Sequence, residues 1–587
     1  MKLSQLYANK SFKHVKFNDG LNLVLAKVTK KLDLNKDSHG LGKSTLIEVL
    51  DFMLLKEIKG EDTFKKHKAI FADYVFFLEI ILNDGKYLTI KRGVDNATKI
   101  AFKSSQISTN FLTEKVWDKE NLALEKAQMT LNDYLAFDIL KKWSYRKSLT
   151  YFLRSQKDYY DVFQLSKFKG QHKDWKPLMF DLLGFNANLL TEKYEIDERV
   201  KETNDFITSL KNKFAVDPTE VDKITGAIEL KKAEQKETQE KIDSFNFYDK
   251  ERHLNKEIIE ETEAKIANLN TIEYNLSFEL EEAEKAVFQK FSFEIDQLKD
   301  IYEEAQIFFP NNLVKDYKEL EDFNKKITEE RNKYLGERIV KLTKELKETR
   351  LALFNYNQKR VNSLSELTGK DVFKKFKIYQ IELSKIEGEI VRLEEKLNNI
   401  DKIEVFKQDI KKYNDLLEDV KDATQIQIRN NDSLYYSEIK RVFSNIFKYT
   451  TNKPAILYIS LNTSGNIDFK AEVAQNDETD ITAEGKGNSY GKMLCTSFDL
   501  AILVTYHQNS FYHFAYHDGA LENLDNRKKM NFIHLIREYC TKFNLQYIFT
   551  AIEDDIPLEI LSKFTEKEIC LKLDDTGDKG KLFEFSF

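Results

Sequence analysis

Gly40, Gly42, Lys43, Ser44 and Thr45 fall close together in DSHGLGKSTLIEVLDFML, residues 37–54, in an order suited to binding phosphate. Glycines let backbone N–H groups wrap an anion, a following lysine reaches the β- and γ-phosphates, and a hydroxyl holds Mg²⁺. The run meets the pattern G-x-x-x-x-G-K-[ST] except at its first position, where Asp37 replaces glycine. Leu46, Ile47, Val49, Leu50 and Leu54 then form an apolar face, which predicts a helix whose N-terminus faces the nucleotide. Taken alone, the same residues also describe a glycine-containing turn before an ordinary helix.

Two stretches near the far end of the chain offer what such a loop lacks. In FYHFAYHDGALENLD an apolar strand ends at His517 and Asp518. A strand-end aspartate is often only a loop cap, but a phosphate loop needs a carboxylate for its Mg²⁺, directly or through water, and Asp518 is the best-placed candidate. In TAEGKGNSYGKMLCTSFDLAILVTY a glycine-rich loop carries Ser489 and Gly491 up to an apolar helix. The N–H groups and dipole of that helix favour an anion, although Ser489 also reads as an ordinary helix cap.

The elements that must position these residues follow from patterning. FKHVKFNDGLNLVLAKV and YVFFLEIILNDGKYLTIKRGV each alternate around an NDG turn, predicting two hairpins and a mixed sheet with an antiparallel edge. A lysine-rich insert, TKKLDLNKD, separates the first of them from the phosphate loop. Residues 110–185 read as mostly helical, with Arg146, Arg154, Gln156 and Lys157 among aromatics in SYRKSLTYFLRSQKDYYDVF, a pattern that fits an amphipathic helix with solvated charges. AILYISLNTSGNIDFKAEV is a hairpin and LQYIFTAI a strand.

Between the two ends the period changes to a heptad. Ile196, Val200, Thr203, Ile207, Leu210 and Phe214 keep one seam, as do Leu335, Ile339, Leu342, Leu346, Thr349 and Leu353. Val372, Phe376, Tyr379, Leu383, Ile386, Ile390, Leu393, Leu397 and Ile400 form a third run. Pro310 with the following Asn-Asn marks the reversal of an antiparallel hairpin. Pro218 on one arm and a phase slip at Ile400, Ile403 and Phe406 on the other stand at the same height, which predicts an elbow in both arms before the seam resumes through Ile410, Tyr413, Leu417 and Val420. Ile307, Phe308, Phe309 and Leu313 at the apex would serve either an apex contact or the core of a small helical cap.

Composition sets outer limits. The 587 residues are 41% hydrophobic, enough for a sizeable core, and 32% charged with five prolines, as long helices require. A formal charge of −6 gives no overall basic footprint, so any DNA contact rests on patches such as FKKHK and LKKWSYRKS, which solvated faces explain equally well. Cys495, Cys540 and Cys570 show no zinc-ligand spacing and read as buried thiols in a reducing compartment. No stretch nears the roughly 20 apolar residues of a membrane span, and MKLSQLYANKSFKHVKF lacks the apolar run of a signal peptide, so a cytoplasmic location is expected.

With a phosphate loop at one end, a long antiparallel coil, then NSYGK before a helix and HDGALENLD after a strand, the chain resembles the coiled-coil ABC ATPases of the SMC and RecN type. It is more closely similar to the SMC-like ATPases of prokaryotic defence operons, the Lamassu and ABC three-component group. The traits that carry this are FFPNNLVKDYKELEDFNKKITEERNKYL at the reversal, SYRKSLTYFLR before the first arm, and HD in place of DE at the strand end. The resemblance implies an α/β P-loop head of ABC type assembled from both chain ends, with an inserted α-helical coiled coil. The expected divisions are 1–185 and 431–587 for the head, 186–300 and 323–430 for the arms, and 301–322 for the apex.

By the same resemblance the cofactors are ATP and Mg²⁺, with Lys43 and Ser44 on phosphate and metal, Gln156 as the Q-loop residue and further metal contact, and Asp518 as the metal-holding carboxylate. Ser489 and Gly491 would form the signature that contacts the γ-phosphate bound to the other protomer, and Asp525 the D-loop, so the active unit is a homodimer through the heads. The implied partners are double-stranded DNA, an effector nuclease and a small accessory subunit, in defence against phage or plasmid. Two departures stand out: Gly519 occupies the place of the usual catalytic glutamate, and Ala551, after Thr550, that of the switch histidine. Glu522 and His517 are the candidates to substitute, and slow or conditional hydrolysis is expected. Competing readings are a nucleotide-switched scaffold with little turnover and a RecN-like repair ATPase, whereas the ATPase subunit of a transporter has no place for such a coil.

Overall fold

The computed structural model describes residues 1–27, 40–60, 62–168, 172–214, 216–245, 249–288, 310–365, 370–430, 433–462, 464–474 and 488–587. The whole TKKLDLNKD insert with Asp37, as well as Ile307, Phe308 and Phe309, lies outside these residues, and so does the side chain of Leu313. The chain divides into two compact units, Met1–Asp197 with Leu416–Phe587, and Glu198–Asp415. No helix among the described residues is long and apolar enough to cross a membrane.

The first unit is built on two larger sheets. One is parallel throughout, with strand order Ile569–Asp574, Leu21–Lys27, Gln546–Ile552, Phe514–His517, Leu153–Arg154. The other is antiparallel, in the order Val15–Lys16, Lys2–Ala8, Val75–Ile81, Tyr87–Gly93, Ile100–Ser105, Lys119–Leu122. The expected single mixed sheet is therefore two sheets of opposite character. Their common core joins residues from both ends of the chain, among them Leu23, Leu46, Phe76, Phe498 and Ile548.

The two NDG turns have different outcomes. Asn83-Asp84-Gly85 closes a true hairpin: Gly85 takes φ +84°, the Leu82 N–H donates to the Lys86 carbonyl, and Val75–Ile81 pairs with Tyr87–Gly93. Asn18-Asp19-Gly20 closes none, because Val15–Lys16 joins the antiparallel sheet and Leu21–Lys27 the parallel one. Six of the seven residues of Leu21–Lys27 are buried, which suits a parallel strand flanked on both edges rather than one leg of a surface hairpin. Side chains replace the hairpin bonds at this crossing: Asn18 accepts from the Gly20 N–H, and Asn22 accepts from the Asn18 N–H.

Residues 110–185 are less helical than their composition suggests. Helices Leu124–Leu135, Tyr145–Phe152 and His172–Leu182 alternate with the strands Lys119–Leu122 and Leu153–Arg154 and a 3₁₀ turn at Gln156–Tyr159. The stretch around Arg154 and Gln156 thus changes conformation three times instead of forming one amphipathic helix. The later hairpin is as expected, with Ala455–Leu461 paired to Ile467–Val473.

The second unit is a helical hairpin. Glu279, Glu273 and Glu263 on Asp249–Phe288 meet Arg338, Arg350 and Arg360 on Pro310–Ser365, and Lys231 meets Glu389, each pair nearly equidistant from Pro310. Pro310 is the first residue of its helix, where a missing N–H costs nothing. Heptad positions Leu342, Leu346, Ile386, Ile390 and Ile400 are buried.

The elbow exists on one arm only. One helix ends at Phe214 and the next starts at Val221, after a 3₁₀ turn at Pro218–Glu220 in which Asp217 accepts from the Thr219 N–H at 2.9 Å. The opposite arm runs unbroken as Lys370–Asn430. Val216, in the break, packs with Ile207, Ile224, Ile228, Ile400 and Ile403. The three-residue step at 400–403 therefore does not disturb the helix: it turns two isoleucines into one apolar cluster, and both are fully buried. Ile403→Ala should cost about 2–5 kcal/mol, the usual toll for emptying a packed isoleucine site. Urea unfolding followed by circular dichroism measures it, against a neutral control at exposed Val405.

Candidate nucleotide-binding site

Lys43–Met53 forms a helix that buries Leu46, Ile47, Val49, Leu50, Phe52 and Met53. Its N-cap is Gly42, with φ 101°, which has no side chain to cap the first turn, and the N–H groups of a helix N-terminus can serve an outside acceptor. Gly40 is also left-handed, at φ +82°. The apolar face anchors the helix so that its N-terminus, with Lys43, Ser44 and Thr45, stands at the edge of the parallel sheet.

Asp518 follows the buried strand Phe514–His517 and is 1% exposed. The Ser44 hydroxyl donates to its Oδ2 at 2.9 Å, and the Thr550 hydroxyl donates to its Oδ1 at 2.5 Å. Thr550 comes from the strand lying between those that lead to Ser44 and Asp518, and it also accepts from the Gly519 N–H at 2.9 Å. Sequence reading passed over Thr550 in favour of its neighbour Ala551. Its signal was a hydroxyl near the C-terminal end of a central strand, where parallel sheets place their ligands.

Burial lowers the Lys43 ammonium from the ordinary lysine value, and Asp518, Glu522 and Asp555 act against this. Those three carboxylates therefore share the neighbourhood of the lysine. Among the described residues no cluster of three or more His, Cys, Asp or Glu could hold a metal. One hydroxyl and one carboxylate, already in contact, form the oxygen donor set at this loop, and that set suits a Mg²⁺ completed by water and phosphate.

Gly519 takes φ +67°, and a Cβ built on it would lie 2.7 Å from both Cδ and Oε1 of Glu522. The carboxyl group of Glu522 thus fills the space that a side chain at 519 would enter. Gln156 Nε2 donates to Glu522 Oε1 at 3.0 Å, while Lys492 Nζ donates to Glu522 Oε2 at 2.6 Å and to the Gly519 carbonyl at 3.2 Å. Gln156 accordingly reaches Glu522, and its amide is engaged there rather than with Ser44 or Asp518.

Ser489 and Gly491 lie within the first turn of Asn488–Thr505, not ahead of it as the sequence suggested. Ser489 Oγ donates to the Asn523 carbonyl at 2.9 Å. Asp525 caps Asn526–Lys542 by accepting from the Lys528 N–H at 3.0 Å, and it pairs with the Lys528 ammonium at 2.8 Å. Arg146 is also tied to this region, through Asp51 on the phosphate-loop helix at 2.7 Å.

His517 does not stand beside the site. Successive strand residues point to opposite faces, so while Asp518 meets Ser44, His517 turns into the core. There its Nε2 lies 3.1 Å from Asp499 Oδ2 and its Nδ1 2.8 Å from the Tyr547 hydroxyl. Asp499 also accepts two bonds from Arg154, at 2.5 and 2.9 Å, and the guanidinium donates onward to the carbonyls of Asp158, Asp161 and Val162. Burial lowers the His517 pKa despite Asp499, so the ring is neutral. A carboxylate only accepts, hence Nε2 carries the hydrogen and Nδ1 accepts from Tyr547. The expected role for His517 as a substitute for the catalytic glutamate is excluded by this position.

Arg154 was grouped by sequence with solvated charges, yet it is fully buried. The signal that identifies its partner is Asp499, an acid inside the otherwise apolar run SFDLAILV. The cysteines Cys495 and Cys540 are buried and Cys570 partly so, and burial pushes each thiol up to about 12, in keeping with inert packing residues.

A phosphate loop and a strand-end aspartate brought together from opposite ends of the chain, with a coiled-coil hairpin inserted between them, make this an ABC-type P-loop ATPase head fold with a coiled coil. Residues 431–587 match the family described as an uncharacterised protein conserved in bacteria, DUF2326. Over 624 residues the chain is 23% identical to the Bacillus subtilis (strain 168) protein named Uncharacterized protein YydD, covering 98% of this chain and 97% of that one. Among solved structures it is similar to the Smc head domain with a coiled coil and joint from Pyrococcus yayanosii (TM-score 0.35, 15% identity, 94% and 92% of the two chains). It is also similar to the Pyrococcus furiosus Smc head bound to the C-terminal domain of ScpA (0.33, 12%, 94% and 90%) and to the recombination mediator RecF with ATP (0.31, 10%, 94% and 92%).

Breaking a buried ion pair by neutralising one member strands the other charge. Asp499→Asn is therefore expected to destabilise the head by about 3–5 kcal/mol, whereas Asp73→Asn at the surface is expected to leave stability near wild type, both read by chemical denaturation.

Proposed function

We propose that this protein binds and hydrolyses ATP at a site completed by a second copy of itself, with Glu522 as the carboxylate that orients the attacking water. The observation that carries this is the Glu522 carboxyl lying against Gly519 and held there by Gln156. Gly519 follows directly on Asp518, the position where a head of this type needs its water-activating group, and a carboxylate delivered by one turn of chain supplies the same chemistry. Lys43 would bind the β- and γ-phosphates. Ser44 and Asp518 would hold Mg²⁺, which neutralises charge on the transferred phosphoryl group. Ser489 and Gly491 would complete the site of the partner protomer, so that ATP closes the heads of a homodimer.

In this reading head closure responds to double-stranded DNA and licenses a separate effector, a nuclease, with a small accessory subunit, in defence against phage or plasmid. That part rests on the sequence resemblance at the coil reversal and before the first arm. The scaffold reading loses its main support, since Gly519 does not leave the site without a carboxylate.

Glu522→Gln should lower ATP turnover by about 10²-fold or more while keeping nucleotide affinity, and Lys43→Ala should abolish binding. Steady-state phosphate release and calorimetric titration with a non-hydrolysable ATP analogue separate the two. Turnover unchanged in Glu522→Gln would overturn the assignment. Gly519→Ala, which pushes the Glu522 carboxyl aside and strains a left-handed residue, should likewise lose turnover and keep binding.

A further inference from the structure

Leu582 touches the phosphate loop through its backbone N–H and its side chain, and a third contact ties its carbonyl to Lys13. Its N–H donates to the Leu41 carbonyl at 3.1 Å, its carbonyl accepts from the Lys13 N–H at 2.9 Å, and its side chain covers Gly42. A Cβ on Gly42 would stand 2.5 Å from Leu582 Cβ. Leu582 is 1% exposed and Leu41 3%.

The segment that carries Leu582 is itself firmly seated. Phe583 is buried, with ring centroids 4.9 Å from Phe71 and 5.3 Å from Phe12, and Phe587 lies 4.8 Å from Phe71. At its start, Lys581 pairs with Asp578 at 2.9 Å and bonds Ser586. Residues 581–587 therefore form a strap, zipped by aromatics onto the antiparallel sheet and its neighbouring helix, with one aliphatic side chain pressed under the loop.

We infer that Leu582 is a positioning residue for nucleotide binding: it fixes the Leu41–Gly42 peptide in the conformation that presents the loop's N–H groups to phosphate. The physical need is specific. Two glycines flanking Leu41, both in left-handed conformations, make a backbone that is costly to order, because glycine loses the most freedom on folding. Gly42, the N-cap of the helix that follows, has no side chain with which to cap it. Leu582 supplies both the hydrogen bond and the contact that select one conformer before the ligand arrives, and an anion site whose donors are already in place binds without that ordering cost.

This inference rests on the phosphate loop being the nucleotide site, and the experiment keeps the two apart. Leu582→Ala and Phe585→Ala both remove apolar contact from the strap, but Leu582 reaches the loop, whereas the Phe585 ring lies 6.0 Å from Phe71 and 5.9 Å from Phe583. Thermal melting is to show comparable destabilisation in the two. Calorimetric titration with ADP and with a non-hydrolysable ATP analogue is to show affinity lowered about tenfold or more in Leu582→Ala and near wild type in Phe585→Ala. In turnover assays Leu582→Ala is to raise KM for ATP with kcat at saturation nearly unchanged, a split that a catalytic or purely structural defect does not give. Should Leu582→Ala fail to fold, Leu582→Val is to show an intermediate loss. Equal losses of affinity in the Leu582 and Phe585 variants, or none in either, would overturn the inference. A wild type that binds no nucleotide would overturn the reading of the site instead.

Discussion

A guanidinium and a carboxylate without access to water hold the head together. Arg154 and Asp499 are both fully buried and make two hydrogen bonds to each other. Burial alone would lower the arginine, but the facing Asp499 acts against it and the pKa is raised, so the guanidinium stays charged. Such a pair is poor evidence of stability, since desolvation offsets most of its attraction. What it contributes is selection of one arrangement. Arg154 stands two residues before Gln156, Asp499 is on the helix whose first turn holds Ser489, and His517, bonded to Asp499, directly precedes Asp518. Three elements that each carry one candidate site residue are thus pinned at one point, and the remaining donors of Arg154 fix the carbonyls of the turn after Gln156. Any other packing of these segments leaves a buried charge unpaired.

That pinning explains how a glycine can stand where a glutamate is expected. With Asp518 fixed by Ser44 and Thr550, and with Gly519 anchored through its N–H to Thr550, the chain turns at a left-handed residue and returns Glu522 over it. Gln156 and Lys492 receive the carboxylate from opposite sides. A side chain at 519 and the carboxyl of Glu522 compete for the same volume, so the two designs exclude each other. A scan that inspects only the residue after the strand-end aspartate finds the site deficient, whereas the space itself is filled.

How far the sequence revealed this depends on the range of the interaction involved. Heptads were legible because a coil is decided by side chains three and four apart, and the mirror pairing about Pro310 follows from geometry alone. Local rules met their limit at the two NDG turns. Identical tripeptides close a hairpin at 85 and join two sheets at 20, because Leu21–Lys27 finds its neighbours more than 500 residues away in strands Gln546–Ile552 and Ile569–Asp574. The phosphate loop and Asp518 were legible by residue type and spacing. Thr550, Lys492 and Leu582 were not, since each acts through a contact between distant segments that no local pattern encodes. At 400–403 the phase slip was legible, but its consequence was not, because Val216 from the other arm fills the cluster that accommodates it.

The same long range sets a condition on folding. In the parallel sheet the strands from the first part of the chain, Leu21–Lys27 and Leu153–Arg154, are separated by two strands from the last part, so neither part can form the sheet by itself. Closing a flexible loop between Arg154 and Phe514 would carry a large entropic cost and delay every contact that depends on it. The coiled coil shortens that loop, although closure cost falls only slowly with length. Its contacts are local to each rung of the hairpin, they need only the heptad pattern and the reversal near Pro310, and they set Phe206 beside Phe406 with ring centroids 5.1 Å apart. Once zipped, the insertion acts as a shorter link: 52 residues run from Arg154 to Phe206 and 108 from Phe406 to Phe514, against 360 from Arg154 to Phe514. The Arg154–Asp499 pair, which joins those two parts, can then form at the end of an already constrained search, and this is where a buried charge pair best rejects misaligned arrangements.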